Sequence, residues 1–177
     1  MTRVRFLPLG LALSLVASVA AVAQSKHDTS APIDFDAAHI ELQDRANRGL
    51  LSGNVVIRQG EMKLSADRMT VNYTGDISNG SPEISRLDAV GDVTVTRPDQ
   101  TAHARYGVYD VGRRIITMVG GVTLTQGTNR VNGNRLSINL DTGRATIDGS
   151  GVASGAPGVT QSGGRVTGRF SVPKHNQ

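Results

Sequence analysis

A glycine that recurs at near-constant spacing restricts this chain more than any motif does. Gly53, Gly91, Gly120 and Gly149 stand 38, 29 and 29 residues apart. With each counted as zero, Val55, Val93 and Val122 fall at +2, and Ile57, Val95 and Leu124 at +4. Leu64, Ala102 and Val131 follow at +11, and Ala66, Ala104 and Gly133 at +13. The apolar parity then changes: Met69-Val71-Tyr73, Gly107-Tyr109-Val111 and Leu136-Ile138-Leu140 hold +16, +18 and +20. Leu51, Ala89, Met118 and Ile147 hold −2, and a half-unit (Ala37, Ile40, Leu42) lies 29 residues before Ala66, Met69 and Val71. The nine additional residues of the first spacing coincide with the turn-rich stretch Gly75 to Glu83, which reads as a loop insertion.

Period-two alternation of Val, Ile, Thr and Tyr specifies half-buried strands. A strand cannot change its buried parity without a bulge or bend. Each unit is therefore expected to be several short strands turning a corner at Asp67-Arg68, Arg105-Tyr106 and Asn134-Arg135. No window carries a helical period, and 21 glycines in 177 residues disfavour a helical bundle. A 29-residue unit cannot bury its own apolar face, but stacked units enclose a continuous interior. Two readings of that interior stay open, a wide enclosure that admits a ligand and a filled, dry core.

Ahead of the repeats, Arg3 and Arg5 precede the apolar stretch Phe6 to Val22, which closes on Ala21-Val22-Ala23. This is the layout of a secretory signal peptide cleaved after Ala23. Removing residues 1–23 leaves 17 basic against 15 acidic residues, so the charge balance is no nucleic-acid footprint. The expected organisation is 1–23 signal, 24–32 flexible N-terminus, 33–149 repeats, 150–164 Gly/Ser-rich loop, 165–173 terminal strand and 174–177 disordered tail.

Catalytic chemistry has no foothold. The chain has no Cys, which excludes a disulfide scaffold, a thiolate metal site and a Cys nucleophile. His27, His39, His103 and His175 lack partners at ligand spacing on a shared face, apart from His27-Asp28 near the N-terminus. Asp67, Asp88, Asp92 and Asp110 occupy different offsets, so no carboxylate ladder forms. No residue is assigned a catalytic or metal-ligating role, and no cofactor is expected. One column does carry charge: Arg68, Tyr106 and Arg135 stand at +15, with His39 at the equivalent half-unit position. Further positive charge is scattered near turns at Arg58, Lys63, Arg97, Arg113, Arg114, Arg130 and Arg144. Such residues either contact anionic phosphate at a rim or form a solvated, edge-protecting face.

The stretch Leu51-Ser52-Gly53-Asn54-Val55-Val56-Ile57-Arg58-Gln59-Gly60, followed by Lys63-Leu64-Ser65-Ala66-Asp67-Arg68-Met69, resembles the OstA-like family of periplasmic lipopolysaccharide-transport proteins. Gly91-Asp92-Val93-Thr94-Val95 and Gly120-Gly121-Val122-Thr123-Leu124-Thr125-Gln126-Gly127 echo the same pattern, and the resemblance covers Ile33 to Ile147. It implies an all-β, open, twisted jelly roll of stacked antiparallel strands and a non-enzymatic, periplasmic carrier. The acyl chains of lipopolysaccharide would lie against Val55, Ile57, Leu64, Met69, Val71, Tyr73, Val93, Val95 and Tyr109. The same interior would continue through Val111, Met118, Val122, Leu124, Val131, Leu136, Ile138, Leu140 and Ile147. Arg68 and Arg135 are the phosphate-contact candidates, and Ile40, Leu42, Val166, Phe170 and Val172 the edge residues for assembly. The implied partners are lipopolysaccharide, LptC-like and LptD-like OstA-domain proteins, and further copies of the chain stacked head to tail. A membrane-anchored LptC-like role and a structural or adhesive secreted β-solenoid are the alternatives. The Gly/Ser-rich stretch Ser150 to Gly164 departs from the family pattern, as does the small number of aromatic residues.

The signal reading has a direct check. N-terminal sequencing of the periplasmic protein should begin at Gln24. Full-length protein held in the inner membrane refutes cleavage and favours the anchored role.

Overall fold

The computed structural model describes residues 28–75, 82–149 and 164–170. The signal stretch, residues 76–81 of the expected insertion, most of the Gly/Ser-rich loop, Val172 and the C-terminal tail lie outside the described residues.

Among the described residues ten strands form one antiparallel meander that is not closed into a barrel. Six long strands make its body: β3 (Arg48–Gln59), β4 (Met62–Thr74), β5 (Glu83–Arg97), β6 (Gln100–Asp110), β7 (Ile115–Gln126) and β8 (Asn129–Asn139). Each pairs with the next in antiparallel register. The two outermost long strands are each flanked by two short ones. β1 (Ile33–Asp36) and β2 (His39–Gln43) pair with the two ends of β3. β9 (Ala145–Asp148) and β10 (Thr167–Arg169) pair with the two ends of β8.

The corners fall where the parity change placed them, but the strands run through them unbroken. β4 buries Met62, Leu64 and Ala66, turns both Asp67 and Arg68 outward, and resumes burial at Met69. β6 does the same around Arg105-Tyr106. The expectation of several short strands per unit is therefore corrected, and the reason lies in the neighbouring strand. Opposite Asp67, β3 inserts Gly53-Asn54, so that two residues face one and the sheet bends without breaking its ladder. β5 inserts Gly91-Asp92 and β7 inserts Gly120-Gly121 in the same way. Both residues of each insertion have positive φ, for example 81° at Gly91 and 42° at Asp92.

Each corner glycine is also covered by the previous corner's side chain. A Cβ on Gly91 would collide with the Asp67 carboxylate, and one on Gly53 would come within 2.6 Å of Ala38 Cβ. A Cβ on Gly120 would sit 3.0 Å from Arg105 Nε. At the last corner Asn134 Nδ2 donates to the Gly149 carbonyl at 2.8 Å.

The corners fold the sheet over on itself. Gln59 and Tyr109 lie on opposite sides of the corner line, on strands β3 and β6. Roughly nine residues of strand separate them along the sheet, which in a flat sheet is about 30 Å. Yet Tyr109 Oη donates to Gln59 Oε1 at 2.7 Å. The first half-sheet (beginnings of β3, β5 and β7, ends of β4, β6 and β8) therefore packs face to face on the second. Leu51, Leu87, Ile116 and Leu136 from the first meet Val55, Leu64, Val95 and Val122 from the second in one apolar core. The two rows of strand-joining turns form a lip opposite the corner.

The corner glycines can be tested by separating backbone strain from collision. Gly127 also has positive φ, at 57°, but open space where a Cβ would go. Gly127→Ala is expected to cost about 1 kcal/mol, and Gly91→Ala about 2–3 kcal/mol because Asp67 must also move. Urea denaturation of both variants reads the difference, and equal losses would remove the covering side chain from the account.

Candidate functional site

The interior is the candidate site, and the structure gathers the residues expected there. Val55, Ile57, Leu64, Met69, Tyr73, Val93, Val95, Tyr109, Met118, Val122, Leu124, Leu136, Ile138 and Leu140 are all buried. Val71, Val111 and Ile147 pack against this core and are partly buried. Val131 is half-buried on β8, beside the short β10. Most of these side chains are sealed: Val55, Tyr109, Met118, Leu136, Ile138 and Leu140 are 0% exposed. In this state the two half-sheets are in contact and the interior has no open channel along those residues.

Of the polar residues at the lip, the sequence marks Arg97 only as one of several charges near turns and gives Gln59 and Gln100 no role. Gln59 is 2% exposed at the end of β3. Its Nε2 donates to the carbonyls of Thr29 at 3.0 Å and Ala31 at 3.1 Å, while its Oε1 accepts from Tyr109. One side chain thus ties the second half-sheet to the first and to the chain entering β1. Arg97 and Gln100, at the β5–β6 turn, are 7% and 8% exposed. Gln59, Arg97 and Gln126 share position +6 of the repeat, and that column was the available signal.

The +15 column is one straight row. Register pairs carry it across eight strands through His39, Ser52, Arg68, Val90, Tyr106, Val119, Arg135 and Asp148. It runs along the outside of the corner, so Arg68 and Arg135 stand on the opposite face of the sheet from the interior. An open depression of about 440 Å³ on that face is lined by residues including His39, Glu41, Arg68, Asp88 and Val90. His103 Nδ1 lies 2.9 Å from Thr94 Oγ1 on the outer surface. Among the described residues no cluster of His, Asp or Glu is placed to hold a metal.

The edges are apolar at both ends of the meander. Ile40 and Leu42 on β2 are 44% and 56% exposed, and Val166 and Phe170 around β10 are 44% and 67% exposed. β10 spans Thr167–Arg169; of the expected 165–173, Arg165, Val166 and Phe170 lie outside the strand and residues 171–173 outside the described residues. No helix among the described residues is long and apolar enough to cross a membrane.

A folded-over, unclosed β-meander with an apolar interior and two exposed edges matches a known group. Residues 34–144 match the family model of the LptA/(LptD N-terminal domain) LPS transport protein. The chain belongs to that family. It is 30% identical over 154 residues to an uncharacterized protein of Rhizobium meliloti (strain 1021), covering 80% of this chain and 82% of the relative. Its fold is similar to the crystal structure of LptH from Pseudomonas aeruginosa, described as the LptA homologous periplasmic component of the lipopolysaccharide transport device. The TM-score is 0.68 at 18% identity, over 82% of this chain and 99% of LptH.

Burial pushes the Tyr109 phenol up to about 12, with Asp141 adding to the rise and Arg114 and Gln59 opposing it. An unfolded tyrosine titrates near 10. The neutral phenol is thus favoured by the fold: its contribution is complete below pH ~10 and is lost as pH rises through ~12. Stability of the wild type should fall across that window, and Tyr109→Phe should lose most of the fall. The same variant should cost about 1–3 kcal/mol at neutral pH, because Gln59 Oε1 loses its donor. Denaturation at a series of pH values measures both, and identical curves for variant and wild type would count against the assignment.

Proposed function

We propose that this protein is a non-enzymatic periplasmic lipopolysaccharide carrier that receives acyl chains between its two half-sheets. It joins LptC-like and LptD-like OstA-domain proteins, and other copies of itself, through its exposed strand edges to bridge the inner and outer membranes. Membership of a lipopolysaccharide-transport family supports the pathway. The observation that carries the mechanism is a continuous apolar core inside a sheet that is folded but not closed.

Opening at the lip separates the half-sheets while the strand ladders and corners stay intact. Acyl chains then take the place of the facing half-sheet against each apolar surface, and each CH₂ contributes about 0.8 kcal/mol on burial. Edge strands present unpaired backbone groups that accept a strand from another chain. Ile40, Leu42 and Phe170 beside those edges supply apolar contact. A second reading, a filled structural scaffold, is favoured by one fact, the sealing of Val55, Ile138 and their neighbours from solvent.

Photo-crosslinking separates the two readings. Tyr106 and Tyr109 lie three residues apart on β6, one 49% exposed on the outer face and the other 0% exposed inside. Benzoylphenylalanine in place of Tyr109 should yield lipopolysaccharide adducts in cells, and in place of Tyr106 none. In place of Phe170 it should yield protein adducts with another OstA-domain chain or a second copy. Adducts from Tyr106 alone, or from neither site, reject the carrier; absence of protein adducts at Phe170 rejects edge docking there.

A further inference from the structure

The lip closes differently from one repeat to the next. On β3 the +6 residue Gln59 meets the +18 residue Tyr109 of β6 and is satisfied. One repeat further along the stack, Arg97 takes the place of Gln59 on β5 and Ile138 that of Tyr109 on β8. An aliphatic side chain at that repeat position offers no acceptor. Arg97 Nη1 is buried with no partner, and so is Gln100 Nε2 across the β5–β6 turn. Both residues are more than nine-tenths buried.

These two donors line one cavity of about 490 Å³, set between the β5–β6 turn and the turn joining β8 to β9. Its apolar wall is Leu124, Leu140 and Ala145, and Leu140 belongs to the sealed core. Two acids also border it. Asp141 is paired with Arg114 at 3.2 Å, Asp99 is exposed at the turn, and Arg97 Nη1 has neither as a hydrogen-bond partner. A buried guanidinium without an acceptor is costly, and an anionic oxygen is the acceptor that best removes the cost.

We propose that this lip cavity binds an anionic group, a phosphate or a carboxylate, held by Arg97 and Gln100, with any attached hydrocarbon running past Leu140 into the interior. The hydrocarbon part rests on the carrier reading; the anion site does not. Arg97 is thereby the anion contact inside the lip, distinct from Arg68 and Arg135 on the outer face.

The test uses three probes on the full mature chain: dodecyl phosphate, dodecyl maltoside and inorganic phosphate. The wild type should bind dodecyl phosphate about ten- to a hundredfold more tightly than dodecyl maltoside. Arg97→Leu should lose that preference while keeping its affinity for the maltoside and its thermal stability. Gln100→Met, with Arg97 in place, should reduce the preference in part. Wild type that binds both detergents alike overturns the anion site and leaves the carrier reading standing. If neither detergent binds but inorganic phosphate raises the Tm of wild type and not of Arg97→Leu, the site holds for a free anion and the carrier reading falls. If phosphate also has no effect, both fall. An Arg97→Leu variant that keeps the wild-type preference, or loses both detergents equally, overturns the site as well.

Discussion

The architecture depends on a local mismatch, two residues facing one at every corner. Gly53-Asn54, Gly91-Asp92 and Gly120-Gly121 each add a residue to one strand while its neighbours add none. The ladder survives because both inserted residues adopt positive φ, which glycine does at little steric cost. The bend also brings side chains together: Ala38, Asp67 and Arg105 lie over the glycines of the following strand. Aligned from strand to strand, these bends make a hinge line, and the two half-sheets face each other because of it. Without the bend the change of parity would leave the apolar residues of the two half-sheets on opposite faces of one flat sheet.

Opposite the hinge the constraints are different in kind. The strand ladders run parallel to the lip and do not cross it, so closure rests on apolar packing and on side chains such as Gln59 and Tyr109. Packing is non-directional and can be exchanged for the packing of another apolar body. A hydrogen-bond ladder cannot be exchanged that way. A sheet bent by backbone insertions and closed by side chains is therefore held less strongly across its lip than along its ladders. The same lip carries the polar residues that sequence periodicity does not interpret, Gln59 satisfied and Arg97 with Gln100 in want of acceptors.

The ends of the stack follow from the same geometry. A meander adds units without limit and leaves an edge at each end. Here short strands flank β3 and β8, two apiece, with apolar side chains such as Leu42 and Phe170 exposed beside them. A barrel would have removed these edges at the cost of a fixed interior. Leaving them open is consistent with the family's membership of a transport system built from related domains.

Much of this was legible from residue order. Strand identity, the inward phase of residues such as Val55, Met69 and Ile138, and the corners at Asp67-Arg68 and Arg105-Tyr106 all follow from period-two alternation and its change of parity. These are local properties, because a strand's faces are set by its own sequence. What local pattern could not supply is which residues meet across the fold. That the strands continue through the corners was decided by insertions on the neighbouring strand, not on the strand that changes parity. That Arg68 and Arg135 point away from the interior was decided by which side of the bend is concave. That Gln59 finds Tyr109, fifty residues further along the chain, while Arg97 finds no acceptor was decided only when the sheet folded over. Alternation alone determined the strands and their faces; the closing of one half-sheet on the other decided the site, because contact across a lip is a property of two surfaces and of neither sequence segment by itself.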